Sequence, residues 1–547
     1  MKNYVKKVGS LALAVLMSLS VASFTACRGD SSDSSNDIPV VNTEGKTKIT
    51  ANLYFGEYGF DWLKRLAAEW SNANDKYWIN VDYSMDLSGA LVKKIMAGEK
   101  ADIYFTEDPN FQTLFGTYLE DLSDVLNMKP EGKRTIGEKI KNMDEWEKVA
   151  SKDGATYLLP NTLSPLGLIY DHGRFQANGW LCTDANGNLT VGKDGVAGTY
   201  DDGQPQTWTE FNTMLGKITR SSVSNDVFCY MGAKNPGYVN NIMFAYLAQY
   251  LGEEQYSWFV DKDSHGNTVT LLDGTKTVIG IDDGYKFFSI DGMDEMCKFM
   301  QNYMVNPLYV TDRTLTDSSF GVNESHVAFI SDGDYAPAFI VEGNWWEFGS
   351  YRDFEANAEY GGVGFGENDY RYMLLPVIEG QKTPEDQSVL FSQTGGCIAV
   401  TKSNDDNKLA AIKDFLCYVL RDDTMERVTK ETGAIWNYNY TISEEGKAEL
   451  TPFIRNTYEM MNDTDHITVR SFSLDLATTP LVSHGGWTGL SMLVGVNGDP
   501  YMVSAYRNAG SSAAEFLKDL QNSSGYSDPA TWKAMINTIR TYGFYQD

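Results

Sequence analysis

Apolar and polar positions alternate in "ITANLYF" (49–55), where Ile49, Ala51, Leu53 and Phe55 recur at period two, so the segment is predicted to be a strand. After "GEYG" the period changes, and Leu63, Leu66, Ala67 and Trp70 in "DWLKRLAAEW" fall on one helical face. "WINVDYS" (78–84) reads as a second strand, "LSGALVKKIMAG" as a helix and "ADIYF" (101–105) as a third strand. Strands alternating with helices at this spacing predict βαβ units and a parallel sheet covered on both faces. Ligands of such sheets bind beyond the carboxyl ends of the strands. Here those ends are "GEYG" (56–59) and "TEDPN" (106–110).

The same logic returns in "GGCIAVTKSNDDNKLAAIKDFLCYVL". Cys397 to Val400 reads as a short buried strand, "SNDDN" offers N-caps, and Leu409, Ile412, Leu416 and Val419 line one helical face. Two segments between these halves read as additions to a core. One is 182–206, rich in Asp, Asn and Gly. The other is "VDKDSHGNTVTLLDGTKTVIG" (260–280), whose β-branched runs separated by "HGN" and "DG" predict hairpins. No internal repeat is visible.

Length and composition narrow the class. A chain of 547 residues is too long for one ordinary core and predicts two or more lobes. Its 42 % apolar and 22 % charged residues are a globular mixture. Twelve Trp, 32 Tyr and 26 Phe leave aromatics over for a binding surface. The first 26 residues stand apart: Lys2, Lys6 and Lys7 precede "SLALAVLMSLSVASFTA", a secretory signal peptide pattern too short to span a membrane. Phe24-Thr25-Ala26-Cys27 resembles a bacterial lipobox, with Phe24 where leucine is usual. It predicts lipidation of Cys27 and anchoring to the outer face of the bacterial cell membrane, the alternative being a plainly secreted protein with a chance cysteine. Residues 27–45 lack any hydrophobic period and read as a flexible tether.

The net charge is −29, and −32 once the signal peptide takes away three lysines and no acids. Such a surface repels nucleic acid and anionic lipid headgroups and suits a soluble extracytoplasmic protein. The remaining cysteines, Cys182, Cys229, Cys297, Cys397 and Cys417, are odd in number and lack a CxxC, against a disulfide framework or structural zinc. His172, His265, His326, His466 and His484 are isolated, and GxSxG, HExxH, P-loop and GxGxxG patterns are absent. No catalytic cofactor is predicted. Among 74 acids a glycosidase pair of carboxylates stays open as an alternative.

"DANGNLTVGKDGVAGTYDDG" (184–203) poses a metal question. Asp184, Asn186 and Asn188 occupy positions 1, 3 and 5 of an EF-hand-like loop, and Thr190 offers a carbonyl at position 7. Leu189 replaces the glycine at position 6, and Gly195 replaces the glutamate at position 12. Asp194, Asp201 or Asp202 must then fold back to complete the shell. The expectation is a structural calcium ion; the competing reading is a loop of Asx turns.

Several segments, in order, resemble the extracellular solute-binding proteins of bacterial ABC transporters, in the sugar-binding branch that includes maltose-binding protein. They are "ADIYFTEDPNFQTLFGTYLEDLSDVL", "TYLLPNTLSPLGLIYD", "TWTEFNTML", "HVAFISDGDYAPAFIVEGNWWEF" and "GGCIAVTKS…AAIKDFLCYVL…TKETGAIWNYNY". The resemblance covers most of residues 47–440 and implies an α/β, two-lobe periplasmic-binding-protein-like fold of type II. It places a ligand cleft between lobes joined by a hinge of several segments. Lobe one is expected at 46–160 plus 396–440, and lobe two at 161–395 plus 441–547 with the insertion near 182–206. The alginate-binding proteins in this family carry an EF-hand-like calcium site that the 184–202 loop resembles.

A sugar ring offers an apolar C–H face and a rim of hydroxyls, so its site needs flat aromatics with carboxylates or amides. "EGNWWEF" supplies Trp345, Trp346, Asn344 and Glu347, and neighbouring residues on a strand point to opposite faces. The resemblance puts Trp345 at the stacking position. Glu57 and Tyr58, Glu107 or Asp108, Asn161, Trp436 and Trp487 complete the candidates. The function implied is capture of an extracellular oligosaccharide by lobe closure, as a monomer, and delivery to the membrane permease of an ABC importer. A non-sugar solute such as a peptide is the alternative on the same fold.

Overall fold

The structure, a computed structural model, describes residues 38–54, 56, 58–84, 90–107, 109–221, 226–235, 237–331, 336–392, 396–470 and 529–541. The predicted signal peptide, Cys27, and the candidates Glu57, Asp108 and Trp487 lie outside the described residues. The chain divides into two compact units, Met1–Leu163 with Gly395–Gly446, and Ser164–Thr394 with Lys447–Asp547.

The strands used below are β1 (Thr47–Tyr54), β2 (Tyr77–Ser84), β3 (Ile103–Thr106), β4 (Leu158–Pro160), β5 (Leu166–Asp171), β6 (Phe228–Cys229), β7 (Thr268–Thr270), β8 (Lys276–Val278), β9 (Phe339–Gly343), β10 (Tyr370–Met373), β11 (Ser388–Phe391), β12 (Cys397–Val400) and β13 (Ile467–Arg470). The helices are α1 (Asp61–Ala73), α2 (Trp208–Arg220), α3 (Gly237–Asp261), α4 (Trp346–Gly349), α5 (Asp406–Val419) and α6 (Pro529–Thr541).

In the first unit the sheet order is β2-β1-β3-β12-β4. β1 runs parallel to β2 and β3, with Leu53 level with Tyr83 on one side and Phe105 on the other. β12 is antiparallel to both β3 and β4. The all-parallel sheet expected from periodicity is therefore a mixed one. β12 enters after the chain's long passage through the second unit, so no βαβ crossover dictates its direction. Two reversals leave β4 parallel to β3. The carboxyl ends of β1, β3 and β4 and the amino end of β12 consequently share one edge. α1 buries Trp62, Leu63, Leu66, Ala67 and Trp70. α5 is capped by Asp405, whose side chain accepts from the Asn407 and Lys408 N–H groups, and buries Ile412, Phe415, Leu416 and Val419.

The second unit carries a sheet ordered β13-β11-β5-β9-β6, with β10 also paired to β5. α2 begins in a capping box, Thr207 accepting from the Glu210 N–H while Glu210 accepts from the Thr207 N–H. α3 is buried on nearly every side and bends at Gly252. Of the hairpins expected at 260–280, the structure forms one, β7 paired antiparallel with β8, because residues up to Asp261 finish α3. α6 docks through Trp532, which is fully buried and donates its indole N–H to the Ile281 carbonyl at 2.6 Å.

The 182–206 insertion has almost no regular structure beyond a bridge between Thr183 and Leu189, and it is tied down by polar contacts. Lys193 Nζ donates to the Leu375 and Gln387 carbonyls and to Ser388 Oγ, at 3.1, 3.0 and 2.8 Å. Tyr200 donates to Asp463 at 2.8 Å, and Arg371 to the Thr199 carbonyl at 2.8 Å. The five cysteines among the described residues are all free thiols.

Candidate functional site

The shared strand edge of the first unit holds a shallow recess of about 30 Å³. Its wall follows from the topology. Leu53, Tyr54, Gly56, Tyr58 and Gly59 come from the end of β1 and the turn after it, and Trp62 from the first turn of α1. Phe105 and Thr106 end β3 and Glu107 follows it, Asn161 and Thr162 follow β4, and Trp436 comes in from the later segment. Backbone pairing holds the last three together. The Asn161 N–H donates to the Gly396 carbonyl at 2.8 Å, and the Asn437 N–H to the Asn161 carbonyl at 2.9 Å, with Thr162 and Trp436 bridged between.

Aromatic rings form the floor. Trp62 meets Trp436 edge to face at 5.9 Å and 88°, and Phe105 at 5.9 Å and 85°. Trp436 is fully buried, so it supports the floor from beneath and offers no open face for stacking. Polar atoms in the recess are left unpaired. Asn161 Oδ1 and Trp436 Nε1 are buried with no hydrogen-bond partner among the described residues. Buried polar atoms are nearly always paired, with protein or with ordered water, so two orphans at one edge mark a place for a ligand's hydroxyls or for water. Glu107 has neither a donor nor a cation paired with it among the described residues, and desolvation pushes its carboxyl up to about 7. Near neutral pH it therefore switches between donating and accepting.

Of the sequence candidates, Tyr58, Glu107, Asn161 and Trp436 come together here. Trp62 was legible only as a helix residue. Its site role depends on α1 starting where the β1 turn ends, which periodicity does not report.

The remaining candidates among the described residues belong to the second unit. Trp345 and Trp346 sit at a strand-to-helix turn, Trp345 as the residue before α4, so strand alternation is not what separates them. Trp346 is fully buried among His326, Phe329, Phe354, Tyr370 and Phe453. Trp345 is half-buried, edge-on to Tyr238 at 6.3 Å. Its ring lies flat against Gly343, where a Cβ would come within 2.3 Å of it, so only glycine fits below the ring. Glu347 is fully buried, accepts a hydrogen bond from Thr451 Oγ1, and is pushed up to about 8 by desolvation. Its other oxygen, Oε1, is buried with no hydrogen-bond partner among the described residues.

The calcium candidates form two separate turns. Asp184 Oδ1 accepts from the Asn186 and Asn188 N–H groups at 2.8 and 2.9 Å, and its Oδ2 lies 3.5 and 3.3 Å from their amide nitrogens. The three side chains converge, and turning either amide end for end would present its oxygen at the same place. The Thr190 carbonyl accepts from the Gly203 N–H at 2.8 Å. Asp194, Asp201 and Asp202 serve the other turn. Asp201 accepts from the Asp194 N–H and from Thr199 Oγ1, packs directly on Gly192, and is held above the usual carboxylate range by burial and by Asp194. Asp202 accepts from the Gly198 N–H. No hydrogen bond joins Asp184 to this second group among the described residues, and none of their acidic, histidine or cysteine side chains gather in threes as a metal cluster. The donor set at Asp184, Asn186 and Asn188 fits an ion in part.

No protein-family profile matches the sequence, and no curated protein sequence does. Solved structures do. The chain has the two-lobe α/β fold of the sugar-binding proteins of ABC transporters. It is similar to a chitin oligosaccharide binding protein (15 % identity, 89 % of this chain and 99 % of that one, TM-score 0.55). It is similar to the solute-binding protein RafE in complex with raffinose (14 %, 90 % and 100 %, TM-score 0.53). A third is the galacto-N-biose/lacto-N-biose I-binding protein of a Bifidobacterium longum ABC transporter (15 %, 92 % and 100 %, TM-score 0.51). These are binding proteins rather than enzymes. Among the described residues no helix is long and apolar enough to cross a membrane.

Proposed function

We propose that this protein is an extracytoplasmic receptor for an oligosaccharide, which it delivers to the permease of an ABC importer. The observation that carries the reading is the recess of the first unit. Asn161 Oδ1 and Trp436 Nε1, buried and unpaired among the described residues, line the same recess as Glu107, whose carboxyl has no partner among them, with Trp62 in the floor, at the strand edge where open α/β sheets bind ligands. Hydroxyls of a sugar donate and accept, which such a mixed set of groups needs. The neighbours whose names record chitin oligosaccharide, raffinose or lacto-N-biose lend the class of ligand. Lobe closure and hand-over to a permease come from the resemblance alone. Lipidation of Cys27 rests on the lipobox-like run, and a structural calcium ion at Asp184, Asn186 and Asn188 rests on their convergence.

Isothermal titration of the full mature chain with raffinose, chitotriose and maltotriose tests the reading. Saturable binding without product formation supports it. Cleavage of any of them, or no heat with the whole panel, overturns it.

A further inference from the structure

The charge of the recess is one-sided. Among the described residues that wall it there is one carboxylate, Glu107, and no Lys, Arg or His. The neighbouring chain has the same bias. The segments that follow β1, β3 and β4, precede β12 and carry Trp436 read "FGEYG" (55–59), "EDPN" (107–110), "NTLSP" (161–165), "QTGG" (393–396) and "GAIWN" (433–437). Together they hold three acids, Glu57, Glu107 and Asp108, and not one base.

Bases close by in the chain are engaged elsewhere. Lys64 lies over the Phe60 ring, 3.8 Å from its centroid, and Arg65 pairs with Glu431. Arg427, beside the wall residue Val428, pairs with Glu69 at 2.8 Å. Lys141, whose N–H donates to the Asn437 carbonyl, is pulled down to about 8 by burial. Burial is also the sole cause of the rise at Glu107, so none of these cations acts on it.

A neutral sugar can use this set of groups as it stands. Its hydroxyls donate to Glu107 and to Asn161 Oδ1 and accept from Trp436 Nε1. A uronic acid carries a carboxylate where the matching neutral sugar has a primary alcohol. That carboxylate only accepts, so it offers nothing to two acceptors, and it brings a second negative charge to a place without a cation. Like charges a few ångströms apart in a desolvated site repel far more strongly than in water. An unanswered charge of this kind rejects one ligand without adding a contact to another.

We propose that Glu107 acts as a charge filter: the recess takes a neutral pyranose and refuses the uronic acid of the same shape. The inference rests on the sugar-receptor reading and narrows it, making the ligand class an uncharged oligosaccharide and not a polyuronate fragment.

Calorimetry on the full mature chain at pH 8, where Glu107 is mostly ionised, tests this. The probes are raffinose, chitotriose and maltotriose, and each that binds is compared with the same trisaccharide after oxidation of its primary alcohols to carboxylates. The wild type should bind the oxidised sugar at least about tenfold more weakly than its parent, the direction that charge repulsion sets. Glu107→Gln keeps the shape and an acceptor but loses the charge, and should shrink that ratio at least about threefold. A wild-type ratio near one overturns the filter and leaves the receptor reading intact, as does a Glu107→Gln ratio as large as that of the wild type. No heat from any of the parent sugars overturns the receptor reading itself, and the filter with it.

Discussion

Trp62 and Trp436 meet edge to face at 88°, and this single contact joins the first turn of α1 to a segment that arrives more than three hundred residues later. It makes Trp436 a structural residue of the candidate site. Truncating it to alanine should lower stability by about 3–5 kcal/mol, the range for deleting a fully buried large aromatic. A denaturant melt of Trp436→Ala checks this, and a loss under about 1 kcal/mol would show that the ring is not core.

Asn161 carries the opposite expectation. Its backbone makes the pairing bonds to Gly396 and Asn437, while its side-chain oxygen has no partner among the described residues. Asn161→Leu should leave the melting temperature unchanged or raised, because it removes a buried unsatisfied group. Sugar affinity should fall by about 1–3 kcal/mol. Equal affinity in calorimetry would remove Asn161 from the site.

The pH dependence of binding should follow Glu107. With its carboxyl at about 7 in the free protein, the ionised form grows as pH rises from 6 to 8. A carboxylate accepts from sugar hydroxyls in charge-assisted bonds, so affinity should rise severalfold across that window. Glu107→Gln cannot ionise and should give a flat profile. A profile in Glu107→Gln that still rises would assign the effect to another group.

Glu347 predicts a pH dependence of stability instead. Unfolded, it titrates near 4.5; folded, near 8. Below pH 4.5 both states hold the proton and the group contributes nothing to the balance. Between those values the unfolded chain releases the proton and the native chain keeps it, so stability falls as pH rises, and the loss is complete above about 8. The shift corresponds to an order of about 3–5 kcal/mol. Glu347→Gln keeps the acceptor for Thr451 and should flatten urea midpoints between pH 5 and 8. Parallel slopes in the two proteins would contradict it.

Calcium is tested by melting the mature chain in calcium and in chelator. Binding to the native state alone should raise the melting temperature with calcium concentration. Asp184→Ala should abolish that rise, whereas Asp202→Ala, in the other turn, should retain it. Lys193→Met should lower the baseline melting temperature in both buffers, since its three hydrogen bonds hold the insertion to the sheet.

The first half of the fold was readable because its signals are local. Period two in Ile49, Ala51 and Leu53, and a helical stripe from Leu63 to Trp70, are set by pleat and helix geometry within a dozen residues. The Thr207–Glu210 capping box is equally local, and "TWTEF" marks it. The direction of β12 was not readable, because strand direction depends on where the chain has been.

The candidate site divides along the same line. The turns after β1 and β3 could be named from strand endings alone, whereas Asn161 after β4 entered as a candidate in a segment carried by the family resemblance. That Trp346 is core and Trp345 half-buried was decided by the bare surface of Gly343 and by a nest of rings drawn from four distant segments. Strand alternation did not bear on it.

By itself, the sequence determined the alternation of elements, the strand ends where a ligand belongs, and the ordered segments that resemble sugar-binding proteins. These depend on periodicity and on residue type, both written along the chain. Tertiary structure alone decided that Asn161 and Trp436 find no partner among the described residues, that Glu107 is partly and Glu347 fully withdrawn from solvent, and that Phe60 lies on Tyr83. Desolvation, orphaned hydrogen bonds and ring stacking arise from what surrounds a group in space, and strands brought level by pairing supply those surroundings from residues far apart in the chain.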